Sequence, residues 1–530
     1  MSKRNALHSS ASARALASVT VPSADGKRAG AIASALSLAL LVAGCTVGPD
    51  YVRPESELPV SFEQAPGNQP SQAAGNPPDE VQASKAPRLL WRSFASAELD
   101  ALMDRSLAAN TTVAQAAARL AETRALAGLS PYSLFPTVTA VSNAERSRPS
   151  GSDPFIPEQA AGQTETYRAG FDVSWEIDLF GSLRNQSNEI YQQVDAQAAA
   201  LADVQLSIIA EVAQAWFALL GAREQLALAQ QQLANVQANV DLLTTLMDAG
   251  RGTAFDVARA QVLAHTLAAS VAQTQAALVR HEQRLAVLTA SPVTALRMQL
   301  DSKQQLPALP TLQTIGSPAD WLLRRPDIRR AERQLAAAYS DIGYEKAQYF
   351  PILTLLGDYG WTAQQFGKLG NRAADRWSFG PSLTWRFLDF GRVGQFVDAA
   401  EARADAARAL YQETVLRALE DTENALAGLR AANQGAVELG SARNASDEAT
   451  RLAQLRFDAG ASNYLDVLDA QRSQLDLQSQ ALQARVEQAT ALVAVYKALA
   501  GDFATAVDAG AVVDGAVVDA TVIDGAVLEN

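Results

Sequence analysis

One residue of the sequence has the chemistry of a covalent attachment point. Cys45 is the only cysteine of the 530 residues, and it directly follows an apolar, uncharged run from Ala29 to Gly44. Basic residues precede this run, as they do in a secretory signal, and the run is shorter than the roughly 20 apolar residues of a membrane-spanning helix. A lone cysteine cannot form an internal disulfide. The pattern predicts a removable signal segment that ends beside a reactive thiol.

The residues "VAGC" before and at Cys45 resemble the lipobox of bacterial lipoproteins. This resemblance implies a signal peptide over residues 1–44 and a covalent lipid on Cys45, with palmitate among its acyl chains, anchored in the outer membrane. The alternative is an ordinary cleaved signal followed by a free buried thiol. Removal of residues 1–44 would change the formal charge from −13 to −17, which makes nucleic acid an improbable partner.

Side chains for catalysis or metal binding are scarce. His265 and His281 lie sixteen positions apart without a cysteine or a nearby second histidine, a spacing typical of solvated helix residues rather than of metal ligands. No glycine-rich phosphate loop follows a predicted strand, so energy must come from a partner. Four methionines give no sign of a soft-metal path. We therefore predict no enzymatic activity, no metal site and no cofactor other than the covalent lipid.

Strands must make any membrane crossing, because no apolar run after the signal segment looks long enough for a spanning helix. From Glu165 to Gly181 the residues alternate strictly, with aromatic and aliphatic side chains on one face and charges on the other. A stretch from Asp375 repeats this pattern, and a strand-like run that starts at a Phe-Pro pair precedes each. Such alternation is typical of strands between lipid and a wet lumen. It predicts strand hairpins over 135–181 and 350–391; a soluble two-sheet domain is the alternative.

An internal two-fold repeat relates the two hairpins. Trp175 and Trp385 are 210 positions apart, and "DAGRGTAFDVARAQ" from Asp248 lies at the same offset from "DAGASNYLDVLDAQ" at Asp458. Two accidental matches at one offset are improbable, so each half is expected to carry a hairpin followed by the same helices.

Long helices fill the sequence between these landmarks. Apolar residues recur every seventh position from Val212 to Met247, which predicts a coiled-coil seam in a helix of roughly 100 Å at 1.5 Å per residue. The predicted helices run over residues 185–249, from the "DAGRG" turn to about 290, 327–348, 393–457 and 464–500, with a proline-rich break over 291–318.

Four strands cannot close a membrane barrel, because even small barrels need about eight. Two copies would give eight strands and a filled lumen, whereas three copies would give twelve strands and an open duct. Openness of the duct favours a homotrimer.

The motifs together resemble the TolC-like outer-membrane efflux lipoproteins, the NodT-type channels of resistance-nodulation-division pumps. The resemblance rests on "CTVGPDYVRP" from Cys45, the Phe-Pro strand starts and "LDVLDAQRSQL" from Leu465, and it covers about residues 45–502. It implies a long α-helical barrel continuous with a transmembrane β-barrel, both completed by trimerisation. It also implies export of drugs or other small solutes with a periplasmic adaptor and an inner-membrane pump. The alternatives are a duct for type I protein secretion and a non-channel periplasmic coiled-coil lipoprotein.

The family closes at its periplasmic helix tips, and the resemblance assigns residues there. Leu465 matches an apolar constriction position, Asp466 and Asp469 match acidic positions at the aperture, and Arg472 matches a basic partner. The duplicate segment offers Asp256 and Arg259 at equivalent places. Ser462 stands where some family members have a gate arginine. The alternative is a solvated helix with weak intrahelical Asp–Arg pairs.

The predicted domain layout combines these elements. It comprises the signal peptide over 1–44, a lipid-anchored segment over 45–96, a first efflux repeat over 97–290, an equatorial linker over 291–318, a second efflux repeat over 319–502 and a low-complexity acidic tail over 503–530.

Overall fold

A computed structural model describes residues 46–55, 58–64, 91–150, 162–300, 304–310, 317–322 and 324–499. The predicted signal peptide over 1–44, the predicted lipid site at Cys45 and the acidic tail over 503–530 lie outside the described residues.

The described chain is mostly helical and carries one four-stranded sheet, in agreement with the mixed α and β class predicted. The helices are α1 (Ala97–Ala109), α2 (Thr111–Ala127), α3 (Ser182–Asp248), α4 (Ala254–Leu288), α5 (Val293–Gln299), α6 (Pro318–Leu322), α7 (Pro326–Ala347), α8 (Arg392–Asp458) and α9 (Tyr464–Leu499). The strands are β1 (Thr137–Ser147), β2 (Thr164–Ile177), β3 (Ile352–Ala363) and β4 (Asp375–Thr384).

Both predicted hairpins form and join in one antiparallel sheet of order β1-β2-β3-β4. Phe171 pairs with Tyr359, which pairs in turn with Trp377, so aromatic side chains continue across three strands on one face. The prediction was wrong for the end of the last strand, because β4 stops at Thr384 and Trp385 lies beyond it. Trp385 lies outside the strand, and its indole donates a hydrogen bond to the Tyr349 carbonyl at 3.0 Å.

The two longest helices begin in the same way. α3 follows Gly181 at φ 80° and α8 follows Gly391 at φ 87°, a left-handed conformation that glycine adopts without strain. An aspartate satisfies backbone N–H groups at each start: Asp178 accepts from Leu183 and Arg184. Asp389 accepts from Gly391 and Val393 in the same manner. The sharp turn lets each helix leave the sheet directly.

A continuous buried cluster, called here the equatorial core, joins the middle of α3 to the end of α9. Trp216, Phe217 and Tyr496 are almost fully buried in it, and the Trp216 indole donates to Glu98 at 2.7 Å. Gly221 lies within α3 and does not break the helix. A side chain there would meet Val486 of α9 at 2.3 Å, so glycine permits the close approach of the two helices.

The equatorial linker contains more structure than its proline content suggested. Helix α5 lies within the break predicted over 291–318, because Leu296 is buried in the equatorial core and holds this segment in place. Glu224 of α3 accepts a hydrogen bond from the Leu306 amide at 2.7 Å and pairs with Arg485 at 3.3 Å. Glu224 therefore fastens the linker to α3 and α9.

The segment after the predicted lipid site is bound tightly to the sheet–helix junction. The Val47 amide donates to the Phe180 carbonyl at 3.1 Å, and Asn185 donates to the Val47 carbonyl at 3.0 Å. A side chain at Gly48 would lie 2.6 Å from the Gly343 backbone, so the two chains touch through glycine.

By length and composition alone, α3 and α4 are each apolar enough to cross a membrane, so the expectation that no such run exists was wrong. The apolar window of α3 is 72% buried within the protein, and that of α4 is 11% buried. Many small alanines raise the apolar character of both helices. In α3 the apolar residues serve packing against neighbouring helices.

Candidate functional site

The helix tips farthest from the sheet are two turns with the same backbone. α3 ends before Gly250 at φ 72°, and α8 ends before Gly460 at φ 71°. In the first turn the Arg251 amide donates to the Leu246 carbonyl, and in the second the Ala461 amide donates to the Arg456 carbonyl, both at 2.8 Å. These are the hydrogen bonds of a Schellman motif, which satisfies the last carbonyls of a helix.

A narrow apolar cluster, called here the tip seam, holds the helices together near these turns. Its buried members are Val236, Leu243, Val257, Ala260, Leu263, Leu267, Tyr464, Val467 and Leu468. Residues of the predicted heptad seam, among them Leu233, Val240 and Met247, pack against it. The tip seam positions α9 so that the predicted gate residues emerge at its start.

The structure places the four predicted gate residues of α9 on the first turns after the tip. Leu465 is half-buried, and Asp466, Asp469 and Arg472 are exposed. No ion pair joins any of these three charged side chains to a residue that the structure describes. The intrahelical Asp–Arg pair of the alternative interpretation is therefore not formed, and the charges remain available to partners outside the chain.

Asp256 and Arg259 differ from their counterparts on α9. Asp256 belongs to a capping box, in which its carboxylate accepts from Thr253 at 2.6 Å and its amide donates to the Thr253 hydroxyl at 3.2 Å. The Arg259 guanidinium lies 5.6 Å from the centre of the Phe255 ring. Both side chains thus have local partners that secure the start of α4.

Two hydroxyl groups beside the second tip turn are buried and have no hydrogen-bond partner among the described residues. They belong to Ser462 and Tyr464, and Tyr464 packs against Phe457 with ring centres 5.1 Å apart. Burial raises the pKa of the Tyr464 phenol to about 12, so the group stays neutral and can only donate or accept a hydrogen bond.

Polar pairs between α3 and α9 form a second feature of the tip half, which the sequence analysis missed. Gln225 donates to Ser479 at 3.0 Å, Gln232 to Gln478 at 3.0 Å and Asn239 to Gln471 at 3.2 Å. The α3 members are spaced by seven residues, and this spacing was the available signal. A cavity of about 540 Å³ with several glutamines, Arg443 and Arg485 in its lining lies beside the pairs. We call this row of contacts the polar seam.

The other candidate surface is the polar face of the sheet. It carries six charged side chains: Glu145, Arg168, Asp172, Glu176, Asp358 and Arg376. Asp172 and Asp358 lie directly opposite each other on β2 and β3. Arg376 contacts the Asp358 carboxylate, which sequence order did not indicate because the two residues meet only through strand pairing.

Two histidines, His265 and His281, lie apart from these surfaces. His265 is exposed on α4, and His281 is half-buried. Burial and the neighbouring charge of Arg280 lower the pKa of His281. Among the described residues, no group of three or more histidine, cysteine or acidic side chains has a metal-binding arrangement.

Comparison with known proteins matches the sequence to one family, described as outer membrane efflux protein, over residues 102–291 and 318–501. The solvent efflux pump outer membrane protein SrpC of Pseudomonas putida is 30% identical over 474 residues, covering 87% of this chain and 96% of SrpC. The solved structure of the outer-membrane channel OprN is 36% identical, covers 87% of this chain and 100% of that chain, and superposes with a TM-score of 0.78. The open state of the Neisseria gonorrhoeae MtrE outer membrane channel is 27% identical, covers 86% of this chain and 98% of that chain, and has a TM-score of 0.73.

Proposed function

The chain belongs to the outer membrane efflux protein family, and from this premise we propose that three copies form one continuous export duct. The chain is an outer-membrane efflux channel and not an enzyme. In the proposed trimer, twelve strands close a barrel in the outer membrane, and the long helices form a second barrel that extends into the periplasm.

The sheet carries this proposal. Its edge strands β1 and β4 have no further strand partner among the described residues, and open edges of this kind are normally paired or covered. One face is aromatic and strongly exposed, with Trp377 at 76% and Phe379 at 73% accessibility. Such a face suits lipid, and pairing of β4 with β1 of the next copy would close both edges.

Native mass measurement of the detergent-extracted protein tests the stoichiometry. We expect the mass of three chains, with β4-to-β1 crosslinks between copies. A membrane-inserted monomer, or a dimer that conducts ions in planar bilayers, would contradict the trimer.

The partners are inferred from the relatives. SrpC is named as the outer membrane protein of a solvent efflux pump, and the present chain offers no energy-coupling motif of its own. We infer that a periplasmic adaptor and an inner-membrane pump supply drugs or other small solutes to the duct. Gene deletion followed by susceptibility screening against a broad compound panel tests this. Unchanged susceptibility to every compound would count against a role in drug export.

Two observations favour this function over the alternatives. A non-channel coiled-coil lipoprotein would not need strand hairpins with an exposed aromatic face. The relative SrpC is named as the outer membrane protein of a solvent efflux pump, which favours solute export over protein secretion.

The internal repeat and the domain layout belong to the same proposal. We infer two efflux repeats over residues 97–290 and 319–502, joined by the equatorial linker. In support, α3 and α8 both contain 67 residues, and α4 and α9 contain 35 and 36 residues.

The proposed gate comprises Leu465, Asp466, Asp469 and Arg472, with Asp256 and Arg259 on the neighbouring tip. The three α9 charges are exposed near the turn and have no ion-pair partner among the residues that the structure describes. Around a three-fold axis, acidic and basic side chains from different copies would meet and hold the aperture shut. The MtrE channel, to which this chain is similar, has been solved in an open state, and a gate of this kind would account for a second, closed state of the present duct.

Single-channel recording tests the gate. Asp469→Ala combined with Arg472→Ala should raise conductance in planar bilayers, because the substitutions remove both signs of the interchain pair. Glu438→Ala on the exposed middle of α8 is the matched control. Asp256→Ala is a poorer probe, since loss of its capping box would destabilise α4 by about 1 kcal/mol. Unchanged conductance in a trimeric tip variant would place the closure elsewhere.

We also propose that Cys45 carries the lipid anchor in the outer membrane. Cys45→Ser should abolish labelling by radioactive palmitate, while the neighbouring Thr46→Ser should leave it unchanged. Persistent labelling of the Cys45→Ser protein would refute this assignment.

A further inference from the structure

An unpaired carboxylate lies in the middle of the polar face of the sheet. Asp172 is exposed on β2, opposite Thr139 of β1 on one side and Asp358 of β3 on the other. It makes no ion pair with any residue in the described part of the chain. Its charge therefore faces whatever medium fills the space over this face.

The neighbouring Asp358 has a different environment. Arg376 and Ser378, both on β4, contact its carboxylate oxygens. Gly170 and Gly360 pair beside this contact, and a side chain at Gly170 would lie 2.5 Å from the Tyr359 carbonyl. Gly360 pairs in turn with Arg376 of β4, so the two glycines leave space beside the Arg376 side chain. Arg376 thus neutralises Asp358 and leaves Asp172 uncompensated.

The remaining charges on this face lie farther from Asp172. Arg168 and Glu176 are each four positions away along β2, a distance of about 13 Å in an extended strand. Like charges directly opposite each other weaken strand pairing, so the Asp172–Asp358 pair works against sheet stability. Asp358 has an ion-pair partner in Arg376 and Asp172 has none among the described residues, which indicates that the charge of Asp172 has a function.

We propose that Asp172 sets the charge preference of the strand-lined part of the duct and favours cationic over anionic solutes. The proposal rests on the trimeric duct described above, in which the polar face lines the lumen and three copies of Asp172 lie at one level. Rings of like charge in a confined lumen select permeating ions, because the low-dielectric wall concentrates their field.

A local probe of electrostatic potential tests the role of Asp172 independently of the helix-tip gate. Ser174→Cys places a thiol on the same face two residues from Asp172, about 7 Å along the strand. Rates of modification by a cationic and an anionic methanethiosulfonate reagent are measured in the intact membrane-inserted protein. Cys45 is the only native cysteine, so the chain without the added thiol supplies the background.

We expect the ratio of the cationic to the anionic rate to fall about threefold to tenfold when Asp172→Asn is added, as a unit charge at this distance predicts with salt screening. Glu165→Gln is the matched control, because Glu165 lies on the other face of the same strand and pairs with Arg146. The control should leave the ratio unchanged. Arg376→Gln should raise the ratio, since it exposes the charge of Asp358.

The outcomes separate this inference from the proposed duct. If the Ser174→Cys thiol reacts but the ratio of its cationic to its anionic modification rate does not change with Asp172→Asn, the role of Asp172 is overturned and the duct is left intact. An equal fall in the Glu165→Gln control would also overturn it, because the effect would then not be local. A thiol at Ser174 that stays unreactive, while one at Ala169 on the aromatic face reacts, would overturn the duct and this inference together.

Discussion

The equatorial core and the helix tips are built from the same helices in different ways. The core brings together aromatic residues from distant parts of the chain, in a row of ring contacts that runs from Trp216 through Phe217 and Phe94 to Tyr496. The tip seam is a smaller cluster of nine buried residues. Among the described residues, its ring contact is the pair Phe457–Tyr464. Because apolar burial supplies most of the stabilisation, the core should unfold only with the whole chain, whereas the tips can open alone.

The contact between α3 and α9 also differs between the equator and the tips, from close apolar packing to side-chain hydrogen bonds. At the equator, Gly221 brings the helices close enough for Val486 to touch the α3 backbone region. Toward the tips, the polar seam replaces apolar packing with side-chain hydrogen bonds beside a polar cavity. Such bonds contribute only about 1 kcal/mol net, because water replaces them when they break. A helix interface of this kind can separate or shift at low cost.

The largest expected effect follows from emptying the equatorial core. Trp216→Ala should lower the free energy of unfolding by about 3–5 kcal/mol, because it leaves a cavity and removes the hydrogen bond from the indole to Glu98. Thermal unfolding of the detergent-extracted protein, followed by circular dichroism, measures the loss. Trp216→Phe should lose much less, because the ring remains. If both variants unfold at the parent temperature, the equator does not carry the stability assigned to it.

An equivalent truncation in the tip seam should act locally. Leu243 is 3% exposed, so Leu243→Ala should make tip opening easier by about 2–3 kcal/mol. Amide hydrogen exchange should then accelerate in the last turns of α3 and the first turns of α4 and α9, with little change around Trp216. Leu242→Ala, at an exposed position next to it, is the control. Equal acceleration at the equator would mean that the two regions open as one unit.

The polar seam should respond to loss of a single side chain by a smaller amount. Gln478 accepts from Gln232 and donates to Asp447 at 2.9 Å. Gln478→Ala removes both bonds, although Asp447 keeps its bond from Gln474 at 2.8 Å, and should cost about 1–2 kcal/mol. The change should appear in hydrogen exchange of the tip half of α9. Gln480 donates a hydrogen bond to Asp476 of its own helix, so Gln480→Ala should have almost no effect on the contact between α3 and α9. A neutral result for Gln478 would mean that cavity water replaces its bonds fully.

The smallest expected effect concerns a carboxylate near the sheet end of α3. Burial, together with the charge of Asp341, raises the pKa of Glu189 above its ordinary value. Ionised Glu189 therefore destabilises the folded state, and its penalty disappears as the pH falls through the raised pKa. Glu189→Gln should raise the unfolding midpoint by about 1–3 °C at neutral pH and by less in acid. The exposed control Glu413→Gln should not reproduce this pH-dependent difference.

Much of the fold was predictable because backbone requirements leave clear residue signals. Left-handed glycines fix both tip turns, and alternation fixes the strands to within a few residues, apart from the end of β4 at Thr384. The predicted gate residues of α9 lie on the first turns after the tip, and their gating role stays a prediction. The capping role of Asp256 was not predicted, because it depends on where α4 begins. The Asp358–Arg376 contact and the Glu224 bond to the linker were not predictable, because they depend on strand register and on the path of an irregular segment.

The identical lengths of α3 and α8 have a consequence for the symmetry of the rim. Both helices are 67 residues long, and each is followed by one alanine and then by a left-handed glycine, Gly250 or Gly460. A three-fold assembly would therefore present six turns of nearly the same shape. The side chains differ, since Arg251 and Gly252 stand where the second turn has Ala461 and Ser462. The rim would then repeat six times in backbone and three times in charge. A ring-shaped partner could therefore bind the rim in two ways. Six identical contacts would use the shared backbone of all the turns, whereas three contacts would use only the turns that carry Arg251.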